Sequence, residues 1–124
     1  MNLALQSNIY RLQDFMRELP QVEPAVIHHF SDGIYARELH IPAGVCLVGA
    51  LHATKHLFTV SSGKCVSVTG AGRLDIEAPY MGETLPGMKR VIHALTDTVW
   101  TTFHVTDETD IDKIAEQILV QELD

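Results

Sequence analysis

The sequence predicts a mainly-β domain, a small sandwich or barrel bracketed by an N-terminal and a C-terminal helix, and three observations carry that prediction. From Val26 to Val105 apolar and polar residues alternate with a period of two, as in strands half-buried on a pleated sheet. Turn residues (Gly, Pro, Asp, Ser) break the alternation at intervals of about ten residues, the spacing of an antiparallel meander or Greek key. No helical stretch lies between the strands, so the crossovers that a parallel sheet needs are missing.

The 124 residues read as one domain in three parts: helix and linker over 1–24, barrel over 25–106 and helix over 107–124. That length buries a core without disulfides or a structural metal. The formal charge of -7, from 9 Lys and Arg against 16 Asp and Glu, opposes a phosphate backbone, so nucleic acid is not an expected partner. Lys89-Arg90 is the local basic pair that stands as an anion contact. Cys46 and Cys65 fall in apolar runs with no CxxC spacing and read as reduced, buried thiols. With no signal peptide and no apolar run of the ~20 residues that span a bilayer, the expectation is a cytoplasmic protein with no membrane partner.

In chain order, Ile9, Leu12, Phe15, Met16 and Leu19 have the spacing of one helix face over 7–19, with Ser7 or Asn8 as cap and Pro20 as stop. Pro20 and Pro24 make an extended link. Strands follow over 26–30 and 35–41 about the turn Ser31-Asp32-Gly33, then over 45–51, 57–60, 64–69 and 73–78. Residues 79–87 hold two prolines and two glycines in nine positions and read as a loop. A pair over 90–95 and 98–105 turns at Thr96-Asp97. The last helix, over 109–123, places Ile111, Ile114, Ala115, Ile118, Leu119 and Leu123 on one face. Thr109 caps it, Asp110 and Asp112 sit at the positive end of its dipole, and its apolar face is expected on the outside of the sheet.

The chemistry-bearing stretch is 42–63, with His52 and His56 between two apolar runs. Neutral imidazole is the commonest protein metal ligand. On a helix the pair would match the zinc proteases, but Ala53 stands where that motif needs its glutamate base. On strands the segment resembles the first motif of the cupins, which runs from a glycine through two histidines to a glutamate and, after six intervening residues, a closing glycine. Counting back from Gly63, His56 takes the glutamate place, His52 the second histidine place and Ala50 the first. The second cupin motif is met loosely by 85–90, with Arg90 in the histidine place and Ala94 in the asparagine place.

A narrower resemblance covers almost the whole chain. His28-His29-Phe30, the stretch Gly33 to Leu39, Ile41-Pro42-Ala43-Gly44, His52-x3-His56, Pro86-Gly87-x-Lys89-Arg90, Asp97-Thr98-Val99-Trp100, Thr102, His104 and the closing Asp-Ile-Asp-Lys-Ile look like the small cupin proteins encoded by tailed bacteriophages and prophages. The resemblance implies a double-stranded β-helix, or jelly-roll barrel, and leaves the chemistry open.

In that jelly roll the strand from Arg90 starts at the metal end and the next returns, so His104 finishes beside the strand that His56 begins. His52, His56 and His104 then form a three-histidine site with open positions for a divalent transition metal (zinc, iron, nickel or copper). The residues alone equally allow three hydrogen-bonded imidazoles in a barrel mouth without metal. Arg90 favours a carboxylate or phosphate. Arg37, on one face with Tyr35 and Leu39, is either an anion contact or a surface partner of a carboxylate. Trp100, on one face with Thr102 and His104, is either core or an aromatic pocket wall. His93 is expected to face away, at most one of His28 and His29 to face inward, and His40 shows no partner.

Three functional readings follow. The first is a metal-binding cupin with a small anionic or carbonyl ligand, the metal acting as Lewis acid or dioxygen site. The second is a metal-free sugar or sugar-nucleotide binder or isomerase with histidine as general base. The third is a non-catalytic accessory protein that uses the fold as scaffold. The sequence assigns no catalytic residue and decides no reaction. Open sheet edges can be covered by a second copy, giving a homodimer, or by the terminal helices.

Overall fold

The computed structural model describes residues 2–120. A helix, α1 (Leu3–Arg17), precedes nine strands: β1 (Ala25–Ser31), β2 (Ile34–Ile41), β3 (Cys46–Val48), β4 (His56–Ser62), β5 (Lys64–Thr69), β6 (Gly72–Glu77), β7 (Tyr80–Thr84), β8 (Val91–Ala94) and β9 (Thr98–Val105). The helix α2 (Ile111–Ile118) closes the series. The strands form a five-stranded sheet, β1-β2-β9-β4-β7, and a four-stranded sheet, β3-β8-β5-β6. Every ladder between them is antiparallel. This is a jelly-roll sandwich with terminal helices, as the alternation implies.

Alternate residues of both sheets meet in one core of Leu39, Ile41, Phe58, Val60, Cys65, Ile76, Ile92, Ala94 and Trp100. Burying such side chains is worth roughly 1.5–3 kcal/mol each, which is why the period-two pattern fixes the register. Cys65 is buried and Cys46 half-buried, both as free thiols.

The stretch 79–87, expected as a loop, contains β7, which pairs with β4 from His56↔Thr84 to Val60↔Tyr80. Its Gly82 is no breaker: a Cβ there would lie 2.5 Å from Phe58 Cζ, so only glycine lets this strand lie against the ring. Conversely, the strand expected over 45–51 is reduced to β3, because the chain turns away after Gly49, whose N–H donates to Arg90 O at 2.9 Å.

Both helices depart from their expected bounds. α1 begins at Leu3, capped by Asn2, whose side chain accepts from Leu5 N. Docking of its start on Gly70 (Asn2 N to Gly70 O, 2.7 Å) and of Gln6 on Gly87 O turns Ile9 inward and leaves Leu12 and Phe15 exposed. Asp110, not Thr109, caps α2 by accepting from Asp112 N and Lys113 N. The helix ends at Ile118, and Leu123 of the expected face lies outside the described residues. Nor does α2 lie on the outside of a sheet. Ile114 and Ile118 pack on Tyr35, which faces inward from β2, so the helix closes the barrel at the end where Tyr35 and His104 point in. Among the described residues no helix is long and apolar enough to cross a membrane.

Candidate metal centre and ligand cavity

The register that builds the core also builds the site. Leu57 pairs with Phe103, so His56, the first residue of β4, faces His104 near the end of β9. His52 lies between β3 and β4 and is held by a bridge to Leu119 just beyond α2, with Ala53 N donating to Ile118 O at 2.7 Å. The structure thus brings the three predicted histidines together. One ring nitrogen from each lies within 4.8 Å of the other two, and the ring centroids are 4.5 Å (His52–His56), 4.6 Å (His56–His104) and 5.6 Å (His52–His104) apart.

Each imidazole spends one nitrogen on an oxygen of the protein. His56 Nδ1 donates to Thr54 O at 3.2 Å, and His52 donates to the backbone carbonyl of Ala50. His104 Nε2 lies 2.8 Å from Thr102 Oγ1. A carbonyl only accepts, so the proton of a neutral ring sits on the nitrogen facing it and the other nitrogen keeps its lone pair. His104 Nδ1 is buried and has no hydrogen-bond partner among the described residues. Three neutral nitrogen donors, one of them orphaned, fit a divalent transition metal, and Ala50, Thr54 and Thr102 are the outer groups that would orient its ligands.

Burial above all, then the charges of its neighbours, lowers the pKa of His104 to about 3 and that of His52 to about 4. Burial also lowers that of His56, with Arg90 acting in the same direction. All three are neutral at pH 7, with no proton for a metal to displace. Linkage gives a testable sign. The unfolded chain takes up protons below the ordinary 6.5 that the folded one refuses until about 4 at His52 and about 3 at His104. Stability of the chelated protein is therefore full above that ordinary value and falls steadily through the window below it. Urea midpoints measured at neutral pH and near pH 5 should differ by a loss of a few kcal/mol on acidification. Unmoved midpoints would mean that the imidazoles titrate as exposed ones.

The centre opens into a cavity of about 750 Å³ lined by all three histidines and by Arg37, Arg90 and Trp100. Arg90 is anchored by Nη1 to Ser67 Oγ (2.5 Å) and Nη2 to Thr84 Oγ1 (3.1 Å), and its Cζ lies 4.8 Å from the Phe58 ring and 5.4 Å from that of Trp100. Burial lowers its pKa to about 10, which leaves it charged at neutral pH. Arg37 reaches the cavity from β2 and makes no hydrogen bond or ion pair among the described residues, so it is not the partner of a surface carboxylate. Its charge is felt at both His52 and His104. Trp100 is core and wall at once, 3% exposed and stacked on Phe58 at 4.2 Å. Among the described residues no Asp or Glu lines this cavity, in a chain with sixteen of them.

The remaining histidines sort by parity. His93 is exposed. His28 lies on the same face as Arg37 but stays exposed, its Nδ1 2.6 Å from Tyr35 Oη, while His29 turns to Glu38 at 3.0 Å. His40 does have a partner, the other oxygen of Glu38, which sequence spacing shows only once β1 and β2 are paired.

No protein-family model matches the sequence, and no curated protein is similar to it. Solved structures are. Salicylate 1,2-dioxygenase from Pseudoaminobacter salicylatoxidans, in its adducts with gentisate, superposes with a TM-score of 0.63 at 13% identity over 95% of this chain and 35% of its own. A cupin superfamily protein from Desulfitobacterium hafniense DCB-2 superposes with a TM-score of 0.56 at 12% identity over 72% of this chain and 84% of its own. The fold is that of the cupins. At these identities the likeness is one of cupin architecture, and the chain spans about a third of the dioxygenase's length. The narrower resemblance to phage-encoded cupins is not addressed by these structures.

Proposed function

We propose that this cupin barrel holds one divalent transition metal on His52, His56 and His104 and binds a small organic acid beside it through Arg37 and Arg90. The observation that carries the reading is the convergence of three imidazole nitrogens within 4.8 Å, each ring oriented by an oxygen of the protein. A metal there would supply Lewis-acid polarisation of a ligand oxygen, with coordination positions left open by a three-residue ligand set.

The protein's own groups do the rest. A divalent ion beside two guanidiniums, with no carboxylate among the described lining residues, leaves positive charge that the ligand must neutralise. Arg90 is pre-positioned by Ser67 and Thr84, so little is lost in ordering it on binding. Trp100 and Phe58 keep water from its inner face and strengthen its charge interactions. The gentisate bound by the similar dioxygenase carries such a carboxylate, and supports the ligand class by analogy of fold.

Elemental analysis of untagged protein tests the metal. Close to one zinc, iron, nickel or copper per chain is expected, either as purified or after chelation and reloading. Protein that takes up none of these sinks the metal centre and leaves a metal-free binder or a scaffold as the better reading.

A further inference from the structure

We infer that the ligand is an amphipathic carboxylate: an anionic head at Arg37 and Arg90, and an apolar body several carbons long lying along the cavity wall. The inference rests on the anion reading of the two arginines and is independent of whether a metal binds. His56, His104, Arg37 and Thr102 enter the cavity from the five-stranded sheet, His52 from the chain between β3 and β4, and Arg90 from the chain leading into β8. Across the five-stranded sheet, His56 and His104 form one row and Arg37 and Thr102 the next. Beyond these groups the wall is aliphatic over most of its length, with Leu47 and Val48 on β3, Ile92 on β8, Ile114 and Ile118 on α2, and Val22 in the linker.

A compact, polar anion would satisfy the guanidiniums and leave that wall in contact with water. At about 750 Å³ the cavity is far larger than such an anion and falls within the ~300–1,000 Å³ of sites that enclose drug-sized molecules. The wall also runs out to its rim, where Leu19 is 47% and Val22 55% exposed although both line the cavity. An apolar body reaching the rim covers them, and a polar one does not. Sugars and sugar phosphates, which present hydroxyls on every side, find no matching donors or acceptors along β3 and α2.

The chain contains one tryptophan, Trp100, and it lines the cavity, so its fluorescence reports occupancy. Titration of the whole protein with acetate, butanoate, hexanoate, octanoate and decanoate should show affinity rising roughly three- to fourfold per methylene. Octanol, which has no head, should bind at least about tenfold more weakly than octanoate, and Arg37→Gln should shrink that difference severalfold while leaving octanol binding unchanged. Ala115→Phe, which narrows the wall from α2, should weaken decanoate more than acetate, and far-ultraviolet circular dichroism confirms that each variant folds. Affinity that does not change with chain length, oxalate binding more tightly than octanoate, or no binding by any of the acids overturns the inference. Running the series with chelator and again with zinc separates the two proposals. Chain-length dependence without metal uptake sinks the metal centre alone, and metal uptake with a flat series sinks the amphipathic ligand alone.

Discussion

His104→Ala is expected to weaken zinc binding by at least about 100-fold while the metal-free protein keeps its stability to within about 1 kcal/mol. The first half follows from removing one of three donors: loss of an outer group that merely orients a ligand already costs ~10–100-fold, so loss of the ligand itself costs more. The second half follows from the orphan at Nδ1. A buried polar atom without a partner costs about 1–3 kcal/mol, and replacing the imidazole relieves that cost as it forfeits ring contacts with Tyr35, His52 and His56. Urea unfolding with and without zinc reads both halves together. In the wild type, metal at 100 times its dissociation constant adds about 2.7 kcal/mol; in the variant, the same zinc concentration should add almost nothing. Thr102→Val keeps the ligand and removes the acceptor at Nε2, so it should fall between the two, with the ~10–100-fold loss of an orienting group. A variant lacking His104 that binds zinc as tightly as the wild type would remove that residue from the site.

How much of this was legible in the sequence depends on whether the signal was local. The alternation over 98–105 places Trp100, Thr102 and His104 on one face by backbone geometry alone, and the structure keeps that face inward. That His104 meets His56 follows from strand order, which the cupin resemblance supplied and periodicity does not. β7 was illegible because Gly82 and its flanking prolines score as breakers, whereas the glycine answers a ring on another strand. The α2 face was read correctly for Ile114 and Ile118, but its destination was not, since an apolar stripe says that something covers it and not what. Likewise, Arg37 reads as either a surface or a cavity charge until the structure places it in the cavity lining.

Gly63→Ala is expected to destabilise the protein by roughly 3–5 kcal/mol, out of a total typically ~5–15, and so to bring it near the edge of folding. Gly63 joins β4 to β5 at a φ of +94°, and an added Cβ would lie 2.2 Å from Asp97 O, 2.8 Å from Thr98 Oγ1 and 2.9 Å from Thr98 Cα. The conformation alone costs ~1–3 kcal/mol, and overpacking a similar amount. The neighbour cannot yield cheaply. Lys64 N donates to Thr96 Oγ1 at 2.9 Å, Leu95 N to Lys64 O at 2.8 Å and Ala78 N to Gly63 O at 3.0 Å, which ties this turn to the β8–β9 turn and to the chain after β6. Thr98, buried at 1% exposure, would have to move with the strand that carries His104 at its other end. Gly72→Ala is the control, because Gly72 also has a positive φ, +123°, but no atom within 4 Å of the added carbon. It should cost only the conformational part. Urea midpoints with unchanged m-values give the two losses directly. A Gly63 loss about twice that at Gly72 assigns half of it to the contact with Asp97 and Thr98, and equal losses would place the whole cost in backbone conformation.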